Sequence, residues 1–365
     1  MTATTEKDRQ TSDWIRLAVV TLVIALAVAY WAKTPRIYAP TPIPAQPASP
    51  AQNQLEARTE GPVTPSISLK VPHHLTYPEI VEQLKRWNEE APHLTSLSVY
   101  GQSSKGADLY CLRISSRRGD SPKAPVLVIG CLHGNEPLAT GALMAYFGTL
   151  LGDYGRDGEA TSIIDTREIH FVPVVSPDSY TRSREVDGVD PNRNFPTPKD
   201  PQRQSVAPVM AVRKLFHTVR PRAVLSGHTF GRLFMIPYGD RYGRTPNEGD
   251  YERIVGEMAT LARYKKIHCS ELYDRPISGT ECDYFYRSGA MTVVAEFGDH
   301  QRAPSYEEIQ NEHKRTKEAI NLFLVKAPEV PVTVASEEPD FSRNTGIAPS
   351  PPRPGQEPRV RSTPD

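Results

Sequence analysis

Three side chains that bind metal ions well stand where two apolar runs of the sequence end. His133 and Glu136 follow PVLVIGC in the motif GCLHGNE, and His228 follows RAVLSG. The HxxE spacing alone is a weak signal, because a turn histidine followed by a helix-starting glutamate looks the same. Two histidines and one glutamate, with a fourth position left for water, are a ligand set of catalytic zinc. The pattern therefore predicts one Zn²⁺ per chain.

Two further motifs contain groups suited to a substrate. In GVDPNRNFP, Arg193 beside Asn192 fits a two-pronged grip on a carboxylate. The same Gly, Asp, Pro and Asn residues also form ordinary surface turns. Glu296 lies near the end of the apolar run TVVAEF, where a carboxylate is costly unless it is paired or functional. It is a natural general base for activating water.

The elements that must position these residues alternate along the middle of the chain. Periodicity predicts helices over 80–87, 140–151, 207–219, 251–264 and 306–325, and strands over 96–100, 109–114, 125–131, 168–175, 222–227 and 292–297. The alternation predicts an α/β fold with a mixed, mostly parallel sheet and helices on both faces. Functional groups in such sheets gather past the carboxyl ends of the strands. The candidate residues fall there.

The two ends of the chain differ from its middle. Residues 14–32 are almost wholly apolar, which is enough helix to cross a bilayer core of roughly 30 Å. We expect one transmembrane helix there, with a cleaved signal peptide as the alternative, and the rest of the chain outside the cytoplasm in either case. The domains expected around it are a tail (1–13), a Pro-rich linker (33–69), a catalytic domain (70–328) and a disordered Pro-rich tail (329–365).

The amino-acid composition indicates which binding partners to expect. The 43 basic and 43 acidic residues cancel, and the chain has no basic stripe or nucleic-acid motif, so we expect no nucleic-acid partner. A monomer is expected. The four cysteines allow one or two disulfides in an exported chain, or four buried thiols, and the sequence does not determine their pairing.

Five motifs, in order, resemble those of the zinc carboxypeptidase family, the carboxypeptidase A-like metallocarboxypeptidases. They are GCLHGNE, VPVVSPDSY, GVDPNRNFP, the SGH…IPYG segment and VVAEFGD. With an opening segment at 74–115, the similarity covers residues 72–327. Because only a spacer precedes this region, the chain resembles the short bacterial members that lack a pro-domain. Some of those cut peptidoglycan stem peptides.

The resemblance implies a role for each candidate. Zinc would be held by the three residues named first, and Asn192 with Arg193 would clamp the substrate carboxylate. Glu296 would take a proton from zinc-bound water and return it to the leaving amine. The family also uses an arginine to stabilise the oxyanion. Arg184 is the first choice and Arg182 the second, because the local spacing is one residue short.

The chain departs from the family at the substrate pocket. The family's mobile tyrosine stands eight residues before the aspartate of a GxxxDW-like segment, which corresponds here to Asp283. That position is Arg275, and the nearest tyrosine is Tyr273. We expect Arg275 to bind substrate instead. Cys282 falls where the family's pocket for the departing residue is lined, and a cysteine there demands neither a basic nor an acidic side chain.

The function expected from this pattern is zinc-dependent hydrolysis of the C-terminal amide bond of a peptide or a peptidoglycan stem peptide. One alternative is a zinc deacylase of N-acyl amino acids, similar to succinylglutamate desuccinylase and aspartoacylase, which share the HGNE-like motif. The long match from residue 74 and the NRNF form favour the carboxypeptidase. A non-catalytic binding module would have lost a ligand or the general base, and the sequence retains both.

Overall fold

The computed structural model describes residues 74–118, 122–273 and 275–334. These residues contain seven α-helices and eight strands, numbered here in chain order. The helices are α1 Tyr77–Glu90, α2 Pro137–Asp153, α3 Gly158–Thr166, α4 Ala207–Val219, α5 Glu248–Ala262, α6 Glu281–Arg287 and α7 Tyr306–Lys326. The strands are β1 Thr95–Gln102, β2 Asp108–Ile114, β3 Ala124–Gly130, β4 Arg167–Val172, β5 Ala223–Thr229, β6 Leu233–Ile236, β7 Lys265–His268 and β8 Met291–Phe297.

The strands form one mixed sheet in the order β1-β2-β4-β3-β5-β8-β6-β7. Its centre, β4-β3-β5-β8, is parallel throughout. At one edge β1 and β2 run antiparallel. At the other, β6 is antiparallel to β8 and parallel to β7. The mostly parallel α/β sheet predicted from the sequence is therefore confirmed.

Helices cover both faces of this sheet. Val126 and Val128 of β3 belong to the core cluster that α2, α5 and α7 pack against. Leu127 and Ile129 of the same strand point the other way, into a cluster with residues of α4 and α6. Burying each such aliphatic side chain contributes about 1.5–3 kcal/mol. The continuous apolar run in the sequence thus follows from burial on two sides.

Helix α2 connects this core to the site. It begins with Pro137, whose missing N–H costs nothing in a first turn, directly after Glu136. Fifteen of its 17 residues are buried, so it lacks the polar stripe of a surface helix. The rigid packing of α2 therefore fixes the position at which Glu136 leaves the sheet.

Short elements account for what the sequence patterns did not predict. The strands β6 and β7 have four residues each, too few for a periodic signal. Helix α6 is buried at all seven of its positions and so shows no amphipathic spacing. Helix α3, of nine residues, was also not predicted. The predicted strand 168–175 ends earlier, at Val172.

The ends of the chain are described only in part. The predicted transmembrane segment 14–32, the linker 33–69 and tail residues 335–365 lie outside the described residues. Within the described part, no helix is both long enough and apolar enough to span a membrane. The folded chain continues past the predicted boundary at residue 328, because Val330 is buried and the backbone N–H of Thr333 donates to Asn247 Oδ1 at 2.9 Å.

Candidate metal centre and substrate cavity

The three predicted metal ligands meet at the carboxyl edge of the sheet. His133 and Glu136 lie between β3 and α2, and His228 lies in β5. The parallel register of these strands pairs Gly130 with Gly227, which brings the two histidines to the same edge. The ligand atoms of the three residues all lie within 4.8 Å of one another, and all three side chains are buried.

Glu136 stands between the two imidazoles. Its Oε1 lies 2.9 Å from His133 Nδ1, and its Oε2 lies 2.8 Å from His228 Nδ1. Both histidines thus turn the same ring nitrogen inward, toward one point. Two nitrogens and a carboxylate converging in this way match a zinc site that keeps a position open for water. The residues present therefore fit the predicted Zn²⁺.

The outward nitrogens of the same rings are held by carboxylates. His133 Nε2 lies 2.9 Å from Asp190 Oδ1, and His228 Nε2 lies 2.8 Å from Glu281 Oε1. Such partners fix the tautomer and orientation of metal-binding histidines. Neither acid was predicted to have this role. Asp190 belongs to GVDPNRNFP, where it resembles a turn former, and Glu281 is 53 residues from its histidine.

The pKa shifts describe a charged, paired cluster. Burial disfavours the charge of Glu136, but the histidines beside it hold its pKa down at about 2. Burial also disfavours the imidazolium of His228, yet Glu136 and Glu281 raise its pKa well above 6.5. Since metal binding requires the free imidazole nitrogen, Zn²⁺ entering here would displace a proton.

Glu296 stands beside this cluster on the neighbouring strand. The β5–β8 register pairs it with His228, so both side chains reach the same edge of the sheet. It is 8% exposed, and its Oε2 has no hydrogen-bond partner. Burial is the main cause that raises its pKa to about 8. Its carboxyl is therefore buried, and Oε2 is not engaged by a structural partner, as expected of a group that takes part in proton transfer.

The two candidate arginines are placed differently. Arg184 lines the cavity; its Nε donates to Asp190 Oδ2 at 2.9 Å, and its Nη1 lies 3.8 Å from Glu136 Oε1. Arg182 is exposed, donates to the carbonyl of Asp178, and is not among the lining residues. The structure therefore brings only the first choice of the sequence analysis to the metal ligands.

The predicted carboxylate clamp lies on a single turn of 3₁₀ helix, Pro191–Arg193. Asn192 Oδ1 accepts the backbone N–H of Glu281 at 3.1 Å, which ties the turn to the start of α6. The guanidinium of Arg193 lies over the ring of Tyr273, 5.6 Å from its centroid. Both clamp residues face the cavity.

The three metal ligands line a cavity of about 330 Å³, together with Arg184, Asn192, Arg193, Glu296 and Cys282. Arg275 is the exception among the predicted site residues. It is exposed and is not a lining residue, whereas Tyr273 is one. The prediction counted positions along the chain, but the fold of the loop decides which side chain reaches the cavity. A second cavity of about 550 Å³, beside α5 and α7, contains none of the predicted site residues.

Four apolar or sulfur-containing residues line one part of the cavity, which we call the floor. Met235, Cys269, Cys282 and Val294 form a small buried cluster there. Gln301 also lines the cavity, and its Nε2 donates to the carbonyl of Thr229 at 3.2 Å. Gln301 belongs to no motif, and Met235 lies inside the SGH…IPYG segment without being one of the residues singled out there.

Comparisons with known proteins also identify zinc carboxypeptidases as relatives of this chain. The family model for zinc carboxypeptidase matches residues 80–319. Carboxypeptidase D of Rattus norvegicus is 29% identical over 257 residues, which are 62% of this chain and 18% of that protein. The chain therefore spans less than a fifth of that relative.

Solved structures share the fold. Thrombin activatable fibrinolysis inhibitor superposes with a TM-score of 0.65 at 17% identity, covering 73% of this chain and 78% of that one. A metallo-carboxypeptidase from Burkholderia cenocepacia gives a TM-score of 0.52 at 19% identity, covering 66% and 67%. At these identities the superpositions bear on the fold alone, and they agree with the α/β architecture predicted from the alternation of strands and helices.

Proposed function

Because the chain belongs to the zinc carboxypeptidase family, we propose that it removes the C-terminal residue of a peptide by hydrolysing the last amide bond. One observation carries the proposal. The metal-ligand triad, a buried carboxylate with an unpartnered oxygen and two arginines all face a single cavity of about 330 Å³. A cavity of this size suits the end of a peptide chain.

Zinc held by His133, Glu136 and His228 would polarise the scissile carbonyl and lower the pKa of water to about 7. Asp190 and Glu281 keep the two imidazoles turned toward the metal position. The protein's own contribution is thus a preorganised, buried ligand set. It needs no rearrangement of the sheet when the ion binds.

Glu296 is the proposed general base and then general acid. It accepts a proton from the attacking water and passes it to the amine that leaves. Its free Oε2 and its register with His228 support this role. The pKa of about 8 falls when positive charge is bound next to His228, since a nearby cation favours the carboxylate. Bound positive charge thus favours the carboxylate form, which is the form that accepts a proton.

The two arginines of the cavity have different proposed roles. Arg184 lies beside the ligands and is placed to stabilise the oxyanion as the carbonyl is attacked. Arg193, with Asn192, clamps the terminal carboxylate of the substrate. Such a clamp explains the proposed preference for a C-terminal residue, because an internal peptide bond offers no carboxylate.

The apolar floor of the cavity supports a preference for an apolar C-terminal side chain. The four residues of the floor carry no charge. A diaminopimelate residue of a peptidoglycan stem peptide carries a charged side chain, which an apolar surface accommodates poorly. We therefore rank ordinary peptides above stem peptides as substrates.

We also propose that the catalytic domain works outside the cytoplasm as a single-pass membrane protein. The support is the apolar run at residues 14–32, and cleavage of that segment would instead give a secreted protein. N-terminal sequencing of the mature chain distinguishes the two. Loss of residues 1–32 would contradict the anchor.

Hydrolysis is tested with the purified full-length chain. Acylated tripeptides ending in Leu, Lys or Glu, a murein tripeptide and N-acyl amino acids are assayed with and without a chelator. We expect the Leu peptide to be cleaved fastest, the chelator to stop cleavage and added zinc to restore it. Cleavage of N-acyl amino acids alone would favour the deacylase. No cleavage of any peptide after zinc addition would overturn the proposal.

A further inference from the structure

Two of the four cysteines meet at the floor of the cavity. The sulfur atoms of Cys269 and Cys282 are 3.2 Å apart, and both side chains are buried. The other two cysteines have different neighbours: Cys131 donates to the carbonyl of Glu136, and Cys111 lies 4.0 Å from His170 Nδ1. Among the described residues, which include all four cysteines, Cys269 and Cys282 are the only two whose sulfur atoms are in contact.

These two cysteines stand at the ends of one side of the cavity. Cys269 begins the short 3₁₀ helix after β7, and Cys282 is the second residue of α6, 13 positions later. We call residues 269–273 and 275–282 the wall segment. Besides the cysteines, its members that line the cavity are Leu272, Tyr273, Ile277, Thr280 and Glu281.

The backbone around both cysteines is anchored to the same turn. The N–H of Ser270 donates to the carbonyl of Tyr238 at 3.0 Å, and the carboxylate of Asp283 accepts the N–H of Gly239 at 2.8 Å. The two thiols are thus held together by contacts independent of the sulfur atoms. A covalent bond between them closes a 13-residue separation without requiring a new backbone path.

We propose that Cys269 and Cys282 form a disulfide that joins the two ends of the wall segment. The two thiols each release a proton, and together they give two electrons to a small-molecule disulfide, which is cleaved to two thiols while the new sulfur–sulfur bond forms.

The bond itself does not depend on the proposed function, but its effect on substrate does. Tyr273 and Glu281 lie between the linked positions and line the cavity. A closed wall segment has fewer conformations available before substrate binds, so less ordering is needed on binding. If the chain is a carboxypeptidase as proposed, reduction raises KM for the peptide more than it lowers kcat.

Peptide mapping tests the bond directly. The full-length chain is purified without reductant, incubated with glutathione disulfide, unfolded in iodoacetamide and digested without reduction. Mass spectrometry is expected to find one linked pair of peptides containing Cys269 and Cys282, with Cys111 and Cys131 alkylated. Alkylation of Cys269 and Cys282, or a link to either other cysteine, would overturn the proposal.

Thermal unfolding gives an independent measurement with matched variants. A phosphine reductant, used with excess zinc, is expected to lower the unfolding midpoint of the wild type and of Cys111→Ala. It should not move the midpoint of the double variant Cys269→Ala/Cys282→Ala. Equal shifts in all three proteins, or no shift in the wild type, would contradict the bond. A linked peptide in a chain without peptidase activity would overturn only the proposed function.

Discussion

The two sides of the cavity are built from different kinds of structure. On the metal side, His228 and Glu296 project from adjacent strands whose register is set by backbone hydrogen bonds. The wall segment instead consists of a 3₁₀ helix, a loop and the first two residues of α6. His228 is 1% exposed, whereas Tyr273 of the wall segment is 47% exposed.

This difference separates the groups proposed to react from the side chains proposed to select the substrate. Side chains at strand ends are positioned by the sheet, so the register places His228 beside Glu296. Side chains of the wall segment depend on loop conformation, which tolerates substitution. The chain keeps the family's motif residues on the metal side and departs from its pattern on the wall segment.

The largest expected effect is on the metal side. Glu296→Gln should lower kcat by about 10²–10⁴-fold, because an amide cannot accept the proton of the attacking water. Zinc content, measured by atomic emission, should be unchanged, since the carboxylate is not a ligand. The exposed control Glu307→Gln should leave kcat unaltered. Wild-type turnover in Glu296→Gln would remove the general base from the metal side.

A second comparison separates the neighbouring arginines. Arg184→Met should lower kcat by about 10²–10³-fold if this side chain stabilises the oxyanion. Arg182→Met should have little effect, because Arg182 is exposed and is not a cavity residue. Steady-state kinetics of both variants decide between them. The reverse order of effects would assign the role to Arg182.

The clamp can be tested with one variant and two substrates. Arg193→Lys keeps the charge but loses the forked geometry, so KM should rise about 10–100-fold, the equivalent of a charged hydrogen bond. The kcat value should change less, because the contact is present before and during reaction. With a C-terminally amidated peptide, wild type and variant should be equally poor. A loss of the same size with the amide would argue against the clamp.

One residue links the two sides. Glu281 belongs to the wall segment but holds His228 Nε2 at 2.8 Å. Glu281→Gln should weaken zinc binding by about 10–100-fold, measured by competition with a coloured chelator. Glu271→Gln, an exposed change in the same segment, should not alter zinc affinity. Equal zinc affinities of the wild type, Glu281→Gln and Glu271→Gln would show that Glu281 does not contribute to zinc binding.

The smallest effect is expected at the residue that the sequence spacing favoured. Arg275→Ala should leave KM within about twofold, since exposed side chains away from a site contribute little. The cavity residue Tyr273 offers the comparison, and Tyr273→Ala should raise KM by more. Peptide kinetics at saturating zinc measure both. A larger effect at Arg275 would restore the original interpretation of this loop.

Much of the metal side was predictable from the sequence. His133, Glu136 and His228 were recognised because they follow apolar runs, and β3 and β5 are buried on both faces. Glu296 was recognised because a carboxylate in an apolar strand is costly. These signals are local, because each can be recognised within a short stretch of consecutive residues.

The partners of these residues were not predictable in the same way. The pairing of His228 with Glu281 and of Cys269 with Cys282 depends on where α6 lies. Helix α6 is buried throughout and so carries no amphipathic period that marks it in the sequence. The exposed position of Arg275 was not predictable either, because the spacing of residues along the chain does not determine which way a loop side chain faces.

By itself, then, the sequence determined the α/β architecture, the zinc-ligand set and the order of the motifs. The physical reason is that burial patterns and strand ends are local properties. Only the tertiary structure decided which carboxylate orients each imidazole, which arginine reaches Glu136 and which thiols touch. Those contacts join distant segments. Their geometry is set by the packing of the sheet and its helices rather than by any single stretch of chain.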